Sequence, residues 1–126
     1  MRPLIIIIVL ALLVVTGGCL TLNALNSESQ RLSSNLEELE QHIEKQNWDE
    51  ASKKLQEFRE KWDKVSTLWT MLIDHYEIDN IELILSKLVS YAKNHDKVEA
   101  LSEMSSLKTL IKHIPDKESF SLKNIF

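Results

Sequence analysis

A chain of 126 residues is long enough for one modest domain, and its two glycines, two prolines and single cysteine argue against a turn-rich β fold and a disulfide scaffold. The net charge of −4 comes without a basic stripe, so nucleic acid is not an expected partner. Leu, Glu, Lys, Ser and Ile dominate, a composition that favours helix.

Residues 4–25, Leu4 to Leu25, carry no charged side chain. A helix of that length rises roughly 33 Å, about the thickness of a hydrocarbon core. Arg2 and the free amine precede the run, and acids begin at Glu28. The positive end stays in the cytoplasm, so residues 27–126 are expected outside, behind a single-pass anchor over residues 1–26. Two processing routes stand beside the uncleaved signal anchor. Thr16-Gly17-Gly18-Cys19 resembles a lipoprotein cleavage site, with Thr where Leu is usual, and would make Cys19 a lipidated N-terminus. A cleavable secretory peptide is the third route. All three place the rest of the chain outside the cell membrane.

After the anchor, Leu32, Leu36, Leu39 and Ile43 mark one face of a helix, opposite Glu37, Glu38, Glu40 and Gln41. Ser27 with Gln30 could cap its start, or the helix could run on unbroken from the membrane. Gln46-Asn47 ends the pattern, and Asn47 with Glu50 reads as the next cap. Trp48, Ala51, Leu55, Phe58, Trp62, Val65, Trp69 and Leu72 then alternate at three and four residues, resembling a coiled-coil seam built with aromatics. Core packing is the expected role of the tryptophans.

Asp74, His75, Glu77, Asp79 and Glu82 crowd into the next nine residues. Asp74 with Glu77 repeats the cap spacing, flanked by Ile73 and Ile78 at the spacing of a hydrophobic staple. This predicts a helix break near Asp74. With no Gly or Pro there, one helix over 48–94 is the alternative. The apolar stripe restarts as Ile78, Ile81, Leu85, Leu88 and Ala92. Asp96 with Glu99 caps a last stripe, Ala100, Met104, Leu107, Ile111 and Ile114, which Pro115 is expected to stop. Phe120, Leu122, Ile125 and Phe126 are expected to dock the tail on the bundle. The starts Asn47-Trp48-Asp49-Glu50-Ala51 and His95-Asp96-Lys97-Val98-Glu99-Ala100 resemble each other and suggest stacked helical hairpins, without a tetratricopeptide consensus.

His75, Asp79 and Glu82 share one helix face at i, i+4 and i+7, so an imidazole and two carboxylates form a weak metal or small-ligand candidate. The plainer reading is capping at Asp74 and Glu77 and a solvated face beyond. His42, His95 and His113 are lone histidines, expected at the surface or in turns, with His113 near a helix C-terminus where the dipole favours a proton. No Glu-x-x-His pair, His-Glu-x-x-His, Gly-rich phosphate loop or Gly-x-Ser-x-Gly elbow is present. No cofactor and no enzymatic activity are expected.

Trp69 with Leu72-Ile73-Asp74-His75-x-Glu77-Ile78-Asp79-Asn80-Ile81-Glu82 resembles the central motif of an uncharacterised bacterial family, domain of unknown function 4363. Leu107-Lys108-x-Leu110-Ile111-Lys112-His113-Ile114-Pro115 and the ending Leu122-Lys123-Asn124-Ile125-Phe126 are similar to its C-terminal region. The resemblance implies a small membrane-anchored helical protein of Gram-positive bacteria and carries no activity. The expectation is an all-α protein: a transmembrane helix, then an antiparallel bundle of about four helices of helical-hairpin type. Its function is expected to be contact with another membrane or envelope protein through Asp74, His75, Glu77, Asp79, Glu82 and His113. A metal- or ligand-binding domain and a structural spacer are the alternatives.

Overall fold

The computed structural model describes the backbone of residues 1–71 and 73–125, and the side chains of residues 1–71 and 73–114. Four helices follow in order: α1 (Arg2–Glu44), α2 (Trp48–Trp69), α3 (His75–Lys93) and α4 (Lys97–Ile125). No strand occurs among the described residues. α1 packs on α2 and α4, and α3 packs on the same two, which closes an antiparallel four-helix bundle.

α1 spans 43 residues without a break. The continuous alternative therefore holds, and Ser27 and Gln30 lie inside the helix rather than at a cap. Pro3 falls in the first turn, where its missing N–H costs no helical bond. Along the apolar half every large side chain is exposed, down to Leu20 at 65%. Five residues later Leu25 is 1% exposed and belongs to the bundle core. Thr16 and Thr21 donate their hydroxyls to the carbonyls of Leu12 and Gly17, at 2.7 and 2.9 Å, so the two threonine hydroxyls of this half are satisfied within the helix.

The core takes the expected stripes: Leu32, Leu36, Leu39 and Ile43 from α1, Phe58, Trp62 and Trp69 from α2, Ile81, Leu85 and Leu88 from α3, and Met104, Leu107 and Ile111 from α4. Trp62 and Trp69 meet edge to face, with centroids 5.8 Å apart. The Trp62 Nε1–H is buried with no acceptor among the described residues.

α2 ends without Gly or Pro, in a last stretch whose hydroxyls bond back to its own carbonyls. Ser66 and Thr67 donate to the Asp63 carbonyl, and Thr70 donates to those of Ser66 and Thr67. Such back-bonding competes with the helical ladder. Asp74 then starts α3: its Oδ1 accepts from the Tyr76 N–H at 3.1 Å, and Ile73 and Ile78 on either side are both buried. The single helix over 48–94 is thereby excluded.

The bundle is two copies of one hairpin. α3 ends 49 residues after α1, at Lys93 against Glu44, and α4 starts 49 residues after α2, at Lys97 against Trp48. Both turns are Schellman motifs. Gln46 and His95 sit in the left-handed region at φ 55° and 54°. Gln46 donates to the Ile43 carbonyl and Asn47 to that of His42; His95 donates to Ala92 and Asp96 to Tyr91. At the same separation, buried Leu32, Leu36, Leu39, Ile43, Ala51, Leu55, Phe58 and Trp62 match buried Ile81, Leu85, Leu88, Ala92, Ala100, Met104, Leu107 and Ile111. Even an interhelical ion pair recurs, with its polarity reversed: Glu38–Lys54 at 3.4 Å in the first hairpin, Lys87–Glu103 at 3.8 Å in the second. The likeness of the two helix starts is thus the visible end of a longer structural repeat.

Two expectations need correction. Asn47 occupies the cap position of α2, but its side chain makes no cap bond. Asp96 does cap, accepting from the Glu99 N–H at 3.2 Å. Pro115 does not stop α4, which continues to Ile125. A proline inside a helix leaves the carbonyl four residues back without its donor. That carbonyl belongs to Ile111, and the buried Ser29 hydroxyl donates to it at 2.7 Å from across the bundle. α1 thus satisfies the acceptor that Pro115 orphans, so the helix runs on. The expected docking of Phe120, Leu122, Ile125 and Phe126 lies outside the described side chains.

Candidate functional site

The polar stretch that opens α3 is held by the elements around it. Ile73, Ile78 and Ile81 enter the core, so the residues between them are turned outward. Asp74, His75, Asp79 and Glu82 are exposed, and Glu77 is half-buried. Asp74 is committed to the α3 cap. His75, Asp79 and Glu82 keep the i, i+4, i+7 spacing, but they are strung along roughly 10 Å of one exposed helix face. Among the described residues, no three His, Cys, Asp or Glu side chains gather so as to hold a metal ion.

His113 is exposed on α4, which continues 12 residues beyond it to Ile125, so it is not at the helix C-terminus. It lines a shallow groove with Glu40, Ser105, Lys108, Thr109 and Lys112. Inside that groove Lys108 donates to both oxygens of Glu40, at 3.3 and 3.2 Å, and ties α4 to α1. With Lys87 opposite Glu103, antiparallel register puts His113 at the height of about residue 77 on α3. The two stretches marked in the sequence therefore lie at the same end of the bundle on neighbouring helices. Glu77 and His113 each make an interaction there.

At the opposite end, Trp48 and His95 stack face to face, with ring centroids 5.3 Å apart and planes 1° from parallel. This contact joins the two hairpin turns. The sequence marked both residues only singly; their pairing follows from the matching turns. Ser29 was also missed, although Pro115 four residues after Ile111 announces an acceptor in need of a donor. A groove of about 500 Å³ between α1 and α2 carries Arg31, Lys61 and Lys64. Part of its charge is answered locally, Arg31 pairing with Glu28 and Lys61 donating to Asn35, each at 3.3 Å.

Cys19 is exposed on the apolar half of α1. That half belongs to the one helix among the described residues that is long and apolar enough to cross a membrane, as an anchor or a signal sequence.

Fold and surface define a class: an all-helical bundle of two hairpins, led by a long apolar helix, with a polar stretch at the start of the third helix. The chain belongs to the family described as Domain of unknown function (DUF4363), whose sequence profile matches residues 19–125. No curated protein and no solved structure matches it.

Proposed function

We propose that this protein is a membrane-anchored, extracytoplasmic interaction module without enzymatic activity. α1 is the anchor, and the outward face of α3 at His75, Asp79 and Glu82 receives another membrane or envelope protein. The observation that carries the reading is the continuity of α1. One rigid helix passes from a fully exposed apolar half into the bundle core, with no slack between anchor and domain. Arg2 before the span and the acids after it orient the bundle outward. The face offered is acidic, with Asp79 and Glu82 exposed beside His75, so its complement is a basic surface. Asp74 and Glu77 border it; Asp74 also serves the fold.

The test uses crosslinked membranes. Immunoprecipitation of the full chain is expected to recover a specific partner. The triple variant His75→Ala, Asp79→Lys, Glu82→Lys is expected to lose it while circular dichroism stays unchanged, because none of the three side chains caps a helix or enters the core. Retention of the partner by a folded variant overturns the reading.

A further inference from the structure

We infer that the corner between α2 and α3 is a foot that seats the bundle on the bilayer crossed by α1. The inference rests on the reading of α1 as a membrane span. Among the described residues beyond the apolar half of α1, the exposed large hydrophobic side chains are Leu68, Met71, Tyr76, Leu83 and Val98. Leu68, Met71 and Tyr76, at 56, 83 and 68% exposure, stand together around the one corner that ends α2 and starts α3.

The height of that corner follows from contacts in the bundle. Lys61 reaches Asn35, so α2 and α1 run past each other with those residues level. Ten residues further, at roughly 1.5 Å each, Met71 comes level with about residue 25 of α1. There the charge-free run of α1 ends and its side chains pass from exposed to buried. Twenty helical residues from Leu4 to Asn23 rise roughly 30 Å, the full hydrocarbon thickness, which puts the water interface at the height of the corner.

A long thioether and an aliphatic side chain, exposed at that height beside a tyrosine, fit the interfacial zone, where an amphipathic ring keeps its hydroxyl among the headgroups. Asp74 and His75 on the same corner fit the wet side of that zone. A second contact at the corner fixes which face of α3 points along the membrane and which points away.

The test reconstitutes the full chain, with Cys19→Ser, in phosphatidylcholine vesicles. Single cysteines replace Val9, Met71 or Val98, and each carries an environment-sensitive fluorophore. Lipids bearing a spin label near the headgroup are expected to quench the Met71 probe several-fold more than the Val98 probe, which sits at the far turn. The Met71 probe should also emit at shorter wavelength. Because the fluorophore is itself apolar, the unlabelled thiols give a second readout: Met71→Cys should react with a bulky water-soluble maleimide several-fold more slowly than Val98→Cys. If the Val9 probe is quenched by deep spin labels while Met71 matches Val98 in both readouts, the foot is overturned and the anchor stands. If the Val9 probe is not quenched, the anchor fails and the foot with it.

Discussion

The two hairpins share a backbone and a pattern of buried positions but fill them with different chemistry. Where the first buries Phe58 and Trp62, the second buries Leu107 and Ile111 at the matching places. Where α1 buries Ser29, α3 buries Ile78. The leading helices differ most at their starts. Leu25 of α1 corresponds to Asp74 before α3, so the first hairpin runs down into an apolar stem at the position where the second is closed by a cap. Register and burial define this hairpin, and residue identity is free to vary within them. The variations that remain are the ones with a job: bulk in one half, a hydroxyl aimed at a proline-orphaned carbonyl, and a stem against a cap.

The sharpest break is expected at the aromatic side of the comparison. Trp62→Ala should cost about 3–5 kcal/mol, a large part of the stability of a domain this size. Part of the loss is the edge-to-face contact with Trp69, worth about 0.5–1.5 kcal/mol beyond its buried area. Ile111→Ala, its counterpart, has no such contact to lose and should cost less. Chemical denaturation of the full chain in detergent measures both. Equal losses would mean that the two halves carry the core alike despite their composition.

Next comes the exchange between Ser29 and the helix through Pro115. Ser29→Ala strands the Ile111 carbonyl in the core and should cost about 1–3 kcal/mol. Pro115→Ala returns an N–H to the position that normally serves that carbonyl. In the Pro115→Ala background the cost of Ser29→Ala should therefore fall, and a double-mutant cycle reads the difference as a coupling. Additive losses would show that Ser29 acts only through packing.

The helix starts give a smaller contrast. Asp96→Ala removes a side-chain cap and should cost about 0.5–2 kcal/mol, whereas Asn47→Ala, at the matching place, removes none and should stay within about 0.5 kcal/mol. Thermal melts of the two variants make the comparison. A loss at Asn47 as large as that at Asp96 would mean that the repeat extends to cap chemistry.

Most of the architecture was readable because a bundle is written in apolar spacing. The stripes from Leu32, Trp48, Ile78 and Ala100 each became a buried face, and Asp74 with Ile73 and Ile78 marked the corner between helices. What the sequence misplaced depended on partners far along the chain. Pro115 carries a local signal to stop, and Ser29, 82 residues from the Ile111 carbonyl it serves, overrides it. Asn47 carries a cap signal, yet its side chain makes no cap bond. Of the candidate site, the shared face of His75, Asp79 and Glu82 was legible from helical periodicity. That no further ligand converges on it among the described residues was not, because periodicity describes one helix and a metal site needs several surfaces. The height of His113 relative to α3 depends on interhelical register, which Lys87 and Glu103 reveal only once they are seen opposite each other.

The smallest expected effect tests the repeat most directly, because it concerns the one feature the hairpins hold in mirror image. In the first, the acid sits on the leading helix and the base on the return; in the second the order is reversed. If the place matters and the polarity does not, Glu38→Lys alone should lower the melting temperature by setting two ammonium groups against each other, and Lys54→Glu alone should lower it by crowding carboxylates with Glu57. The swap of both should recover most of the loss. Lys54 adds a signature in pH: Glu38 first, then Glu57, hold its pKa above the ordinary 10.5. A group whose pKa is raised by folding stabilises fully below its unfolded value and loses that contribution as pH climbs through the folded one. The wild-type melting temperature should thus fall on the alkaline side of 10.5, and removing Lys54 with Lys54→Met should flatten that limb. A limb unchanged in Lys54→Met would assign the pair no part in stability, and the recurrence of the ion pair would then be a matter of solubility alone.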